Sequence, residues 1–122
     1  MKSHAPRFLA LVAASKAQIQ EISVSDLLDS SNSPILIDVR EESEWKRSHA
    51  SGAIHMGKGI LERDIESTCP DLSAYIVLYC GGGYRSALAA DALQQMGYNN
   101  VYSLAGGFRA WNAGRAPTVE DS

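Results

Sequence analysis

Cys80 and Arg85 are the residues of this chain best equipped for chemistry, and four residues, Gly81-Gly82-Gly83-Tyr84, separate them. The cysteine follows Tyr75-Ile76-Val77-Leu78-Tyr79, a short apolar run rich in β-formers that predicts a buried strand. Beyond Ser86, the stretch Ala87 to Met96 is dense in alanine, leucine and glutamine, which predicts a helix. Leu88, Leu93 and Met96, with Ala89 and Ala92, share one stripe of that helix, and Gly97 supplies its stop. A thiol therefore stands at the carboxyl end of a strand and at the mouth of a helix. The first N–H groups of a helix lack partners and carry partial positive charge. Glycines that accept positive φ let neighbouring N–H groups curl into an anion-binding nest. A thiol over such donors is biased towards thiolate, the nucleophilic form, and Arg85 adds a charge that does not titrate. The expected chemistry is attack by Cys80 inside an anion cradle built from Gly81, Gly82, Gly83, Tyr84, Arg85 and Ser86. The plainer alternative is a structural cysteine buried on a glycine-rich turn.

The elements that must position this loop are legible along the chain. Its 122 residues make one domain, and 45% hydrophobic with 20% charged residues is ordinary globular composition. A net charge of −3 argues against binding to nucleic acid or an anionic membrane. Two cysteines, Cys69 and Cys80, make no disulfide framework, and three scattered histidines without a Cys-x-x-Cys pair suggest no zinc site. Gln20–Ile22, Ile35–Val39, Ala53–His55, Ile76–Tyr79 and Val101–Ser103 read as strands. Val24–Leu28, Glu41–Arg47, Leu61–Glu66, 86–96 and Phe108–Asn112 read as helices. Such alternation predicts an α/β domain, a parallel sheet covered on both faces, with ligands bound beyond the carboxyl ends of its strands.

At the amino end, Lys2 and Arg7 precede Phe8-Leu9-Ala10-Leu11-Val12-Ala13-Ala14. That is the outline of a secretory signal, but the apolar run is at the lower limit of length and Lys16 follows at once. The preferred reading of residues 1–18 is an extension carrying an amphipathic helix, with Phe8, Leu11 or Val12, and Ser15 or Ile19 on related turns. A cytoplasmic location goes with it, whereas a cleaved signal at 1–17 would mean a periplasmic or secreted protein. Residues 19–116 form the domain, and 117–122 are expected to be a disordered tail.

Four stretches carry a family resemblance. The Cys80-x-x-x-x-Arg85-Ser86 loop resembles the active-site loop of rhodanese-type sulfurtransferases. Cysteine-based phosphatases place five residues between their thiolate and arginine, where this loop has four. Asp38-Val39-Arg40 with Glu44-Trp45 resembles the family's "DVR…E[WFY]" element, and Ser48 to Ile54 resembles "GHIPGAI". Leu104-Ala105-Gly106-Gly107-Phe108-x-x-Trp111 resembles its "LxGG[FW]xxW" close. The resemblance runs from about Gln20 to Gly114 in the family's order, and the chain is identified as a single-domain member. It implies a rhodanese-like three-layer fold with about five short parallel strands. Two departures stand out: Ser48 replaces the first glycine of the "GHI" turn, which should loosen it, and the loop between Cys80 and Arg85 carries no charge. Thiosulfate-proficient members often place basic residues there, so an anion would depend on backbone N–H groups, the helix terminus and Arg85 alone.

The resemblance implies sulfur transfer. Cys80 takes the sulfane sulfur of thiosulfate or a persulfide, and a thiol, cyanide or a protein acceptor removes it, with no metal or organic cofactor. Asp38 and Arg40 are expected as supporting struts, with Arg40 paired to Glu41 or Glu44. His49 reads as structural, Cys69 as a bystander, and Tyr84 and Trp45 as residues that could line the rim. The alternatives are a non-catalytic sulfur-carrier or redox-sensing module, and a cysteine-based phosphatase or arsenate-type reductase.

Overall fold

The computed structural model describes residues 4–29 and 31–120. In chain order the elements are α1 (Pro6–Lys16), β1 (Gln20–Ile22), α2 (Val24–Asp29), β2 (Ile35–Asp38) and α3 (Glu42–Arg47). There follow β3 (His49–Ala50), β4 (Ile54–His55), α4 (Lys58–Thr68), β5 (Ile76–Tyr79) and α5 (Tyr84–Gln95). The chain closes with β6 (Val101–Leu104), α6 (Gly107–Ala113) and β7 (Thr118–Val119). Five strands form one parallel sheet in the order β1-β6-β5-β2-β4, with helices around it, as the resemblance implies. The strand carrying Cys80 is thus the middle one.

Alternation along β5 decides which side each residue serves. Ile76, Leu78 and Cys80 join a core with Leu61 and Ile65 of α4 and Ala89 and Leu93 of α5. Val77 and Tyr79 face the other core, with Leu27 of α2 and Phe108 and Trp111 of α6. Full burial of one such aliphatic side chain, Leu93 for example, contributes about 1.5–3 kcal/mol. All four residues of β5 are buried, consistent with a strand covered on both faces.

Helix α1 lies on α5, so α5 is packed from two sides. That is why its buried residues are Ser86, Ala87, Ala89, Ala90 and Leu93, a broader face than the single stripe expected. Small alanines let both neighbours approach. The inward residues of α1 are Val12 and Ser15, with Phe8 and Ile19 half-buried, and Leu11 points to solvent. Ser15 Oγ donates to Asp91 at 2.9 Å and Gln94 Nε2 to the Gln18 carbonyl at 2.8 Å, pinning the extension to α5. Among the described residues no helix is long and apolar enough to cross a membrane.

Three expectations need correction. The stretch expected as a disordered tail includes β7, whose Thr118 and Val119 pair antiparallel with Ala50 and His49 of β3. The Trp111 indole N–H and Ser51 N–H both bind the Pro117 carbonyl, at 2.8 and 2.9 Å, and draw the chain back there. Residues 121 and 122 lie outside the described residues. Helix α4 begins at Lys58 and ends at Thr68, beyond both limits expected. The turn at Ser48 is tied down, because Arg40 Nη2 donates to the Ser48 carbonyl at 2.7 Å and Ala50 N–H to the Tyr79 hydroxyl at 3.0 Å.

Candidate active site

The loop after β5 folds as the strand–glycine–helix order demands. Only Gly83 of the three consecutive glycines takes a positive φ, +99°, and it is the N-cap of α5. A side chain there would also approach Gly106 N at 3.3 Å, so glycine serves both conformation and packing. This bend turns the first N–H groups of α5 back over the cysteine. Cys80 Sγ accepts the N–H of Gly83 at 3.1 Å and of Ser86 at 3.3 Å. The Ser86 hydroxyl stands 3.5 Å from Sγ and 2.8 Å from the Ser103 hydroxyl, and both serines are fully buried. Tyr84 and Arg85, the first helical residues, present the remaining N–H groups of that turn.

From the other side, the start of α6 holds the loop's carbonyls. Phe108 N–H donates to the Cys80 carbonyl at 2.7 Å and Arg109 N–H to that of Gly81 at 3.0 Å. Gly107, just before them, has φ +56°, and a Cβ there would come within 2.3 Å of the Cys80 carbonyl oxygen. No side chain fits at that approach.

Cys80, Gly81, Gly82, Tyr84, Arg85 and Arg109 line an open cavity of about 570 Å³, with Glu44, His4 and Phe8 completing the wall. Arg85 is not alone in it. Its Nη1 and Nη2 donate to the two Glu44 carboxylate oxygens at 2.7 and 3.1 Å. Hydrogen bonding from Arg85 holds the Glu44 carboxyl below the usual carboxylate range, and Glu44 in turn pushes Arg85 up. Glu44 also accepts Glu41 N–H at 3.1 Å, closing the capping box of α3, so the helix start and the ion pair share one carboxylate. Arg40 was expected to pair with Glu41 or Glu44, and the structure corrects this. Arg40 pairs with Asp38 through three contacts of 2.7 to 3.0 Å, while its guanidinium lies over the Phe108 ring at 4.3 Å.

Asp38 and Arg40 therefore stand outside the cavity. They lie with Tyr79 and Phe108 behind the loop, and Phe108 is the residue whose N–H holds the Cys80 carbonyl. His49 is buried with Nδ1 2.9 Å from the Trp45 carbonyl, and its ring stacks on Trp45 at 3.4 Å. Trp45 is thus packing rather than rim, whereas Tyr84 does line the cavity. Cys69 is a free buried thiol at the end of α4, and burial pushes its pKa up, away from reactivity. Among the described residues no group of three or more His, Cys, Asp or Glu side chains is placed to hold a metal ion.

Sequence reasoning missed two contributors. Ser103 sits at an inward position of a strand whose other inward residues, Val101 and Leu104, are aliphatic, and that buried polar residue was the available signal. Arg109 occupies an unspecified position of the closing motif, and only the packing of α6 on the loop brings its guanidinium near Gly82, so Arg85 is not the cavity's only cation.

Comparison with known proteins agrees with this geometry. Residues 23–114 match the model of the rhodanese-like domain. The thiosulfate sulfurtransferase GlpE of Coxiella burnetii is 32% identical over 79 residues, 65% of this chain and 72% of that protein. The polysulfide-sulfur transferase homodimer of Wolinella succinogenes superposes with a TM-score of 0.78 at 30% identity, over 95% of this chain and 89% of that one. A Rhodopseudomonas palustris protein of unknown function, described as a possible tyrosine phosphatase, superposes with a TM-score of 0.82 at 28% identity, over 96% and 98%. A cysteine nest at the end of the middle strand, a five-stranded parallel sheet and a family match over residues 23–114 lead to one conclusion: the chain belongs to the rhodanese-like family.

Proposed function

We propose that this protein is a sulfurtransferase that carries a sulfane sulfur as a persulfide on Cys80. The observation that carries this reading is the paired donation of Gly83 and Ser86 N–H groups to Cys80 Sγ, in a cavity shared with Arg85 and Arg109. Two N–H donors stabilise a thiolate without a general base, and a negatively charged terminal sulfur can use the same first turn of α5. Cys80 thiolate attacks the outer sulfur of thiosulfate; a Cys80–sulfur bond forms, the donor's sulfur–sulfur bond breaks, and sulfite leaves with the electron pair. With a protonated organic persulfide the outer sulfur keeps its proton, and the thiolate of the donor leaves. An acceptor thiolate or cyanide then attacks the terminal sulfur and restores the Cys80 thiolate. Two half-reactions through one covalent intermediate predict ping-pong kinetics.

In this scheme Gly81, Gly82, Gly83, Tyr84, Arg85 and Ser86 bind the anion and the persulfide, and Asp38 and Arg40 support the loop from behind. The test is intact mass after adding thiosulfate or glutathione persulfide to wild type and Cys80→Ser, followed by cyanide. Gain of one sulfur atom on the wild type alone, recovered as thiocyanate, supports the cycle. Absence of loading by either donor on reduced, folded protein rejects it in favour of a redox-sensing or binding module. The Rhodopseudomonas neighbour motivates one control, turnover of an aryl phosphate, which the loop of four residues between Cys80 and Arg85 argues against.

A further inference from the structure

Two features of the cavity are larger than sulfur transfer itself requires. Its volume of about 570 Å³ is in the range of sites for organic small molecules, whereas an inorganic sulfur oxyanion fills only a small part of it. Its outer wall is aromatic and comes from α1, the residues just before it and the start of α5. The His4 and Tyr84 rings meet edge-on at 4.8 Å, Phe8 and Tyr84 at 6.3 Å, and His4 and Phe8 at 5.4 Å. Such a wall covers carbon framework and offers little to a compact, strongly hydrated anion.

Charge is divided in the same way. Arg85 is neutralised by the bidentate Glu44 contact. The guanidinium of Arg109 makes no hydrogen bond or ion pair among the described residues, yet it stands 3.7 Å from where a Gly82 Cβ would be and lines the cavity. Arg109 is the cation left for a ligand, and its planar fork matches a carboxylate. We infer that His4, Phe8, Arg109 and the ring of Tyr84, whose N–H belongs to the thiolate cradle, form an adjoining subsite that takes the carbon framework and carboxylate of a low-molecular-weight peptidic thiol. Bound there, a persulfide of that thiol has its sulfane sulfur directed to Cys80, and the emptied thiol leaves from the same subsite. This rests on the sulfurtransferase reading for its role in turnover, but the binding itself does not.

The experiment has a binding arm and a transfer arm. S-methylglutathione, which cannot transfer sulfur, is titrated into the Cys80→Ser protein by calorimetry. Saturable binding is expected, weakened about tenfold to a hundredfold by Arg109→Gln and only partly restored by Arg109→Lys, which keeps the charge and loses the fork. Phe8→Ala should weaken it about threefold to tenfold. In the wild-type background, the ratio of kcat/KM for glutathione persulfide to that for thiosulfate should fall by similar factors in Arg109→Gln and Phe8→Ala, with cysteine persulfide, lacking the peptide framework, less affected by Phe8→Ala. Binding of S-methylglutathione without sulfur loading from any donor would reject the sulfurtransferase reading and leave the subsite standing. Sulfur loading without that binding, or with a donor ratio unmoved by either variant, would overturn the subsite.

Discussion

Glu44 grips both terminal nitrogens of Arg85, at 2.7 and 3.1 Å, across 41 positions of sequence. The pair is about one-third exposed on each side, so its direct worth to stability is small, about 0.2–1 kcal/mol. Its larger effect is on the site, where the carboxylate both orients Arg85 and cancels its charge. Glu44→Gln keeps an oxygen for one Arg85 nitrogen and removes the negative charge. KM for thiosulfate should then fall about threefold to tenfold, from a gain of about 1 kcal/mol for a dianion at partly screened distance. Raising ionic strength should shrink the difference. Glu44→Ala, which also frees Arg85 to move, should instead lower kcat. Equal kinetics in both variants would show that Glu44 only caps α3.

The same pair sets a pH dependence. Hydrogen bonding from Arg85 depresses the Glu44 carboxyl in the folded protein, below an unfolded value of about 4.3. A depressed carboxyl contributes stability that is complete above the unfolded value and lost as pH falls through the folded one. Urea midpoints of wild type and Glu44→Gln should therefore differ at pH 7 and pH 5, and the gap should narrow as pH falls below about 4.3 and through the lower folded value. The exposed Asp64, also depressed by Arg63, is present in both proteins and cancels from the difference. A gap between the curves that stays constant from pH 7 to pH 3 would mean that the ion pair does not couple to folding.

Strand Ile76–Tyr79 stands where its composition predicts, because a short apolar run bounded by polar or glycine residues has few other uses. Placing Cys80 needed only that strand and the glycines after it. What the sequence could not carry is choice among distant partners. Arg40 had Glu41 and Glu44 as candidates, and only the fold, which pairs Arg40 with Asp38 and brings Arg85 to Glu44, decides otherwise. The β3–β7 pairing joins two-residue segments far apart in the chain, too short to show a period. Helix α4 starts at Lys58-Gly59, a weak helix former after an N-cap glycine without a side-chain cap, so local signals placed the start at Leu61.

Gly107 is the position where the loop and α6 leave no room. A methyl there would lie 2.3 Å from the Cys80 carbonyl oxygen and 2.8 Å from Gly81 C, both rigid backbone, at φ +56°. Gly107→Ala should cost about 1–2 kcal/mol for the left-handed backbone and a further 1–3 for overpacking. Because the relief must come from moving residues 80 and 81, sulfur loading should slow as well. Gly52→Ala is the matched control: φ is +85° but nothing lies within 4 Å of its Cβ. It should lose about 1–2 kcal/mol with loading unchanged. If Gly107→Ala loads sulfur as fast as Gly52→Ala, the α6 contact does not shape the active loop.

Ser103 and Ser86 form a buried chain that ends on the thiol, with 2.8 Å between hydroxyls and 3.5 Å from Ser86 to Cys80 Sγ. When Ser86 turns its proton to a Cys80 thiolate, its bond to Ser103 is kept only with Ser103 as the donor, and such chains polarise one another. Ser103 is then a positioning residue that never touches substrate. Ser86→Ala should slow sulfur loading about tenfold, consistent with loss of one hydrogen bond to a charged group. Ser103→Ala should slow it less, and should cost about 1–3 kcal/mol of stability where the Ser86 hydroxyl loses its partner. The double variant should load no more slowly than Ser86→Ala alone, because Ser103 acts through the hydroxyl already removed. Stopped-flow loading rates across pH for the three variants check this. Strictly multiplicative losses would mean that Ser103 stabilises the fold without tuning the thiolate.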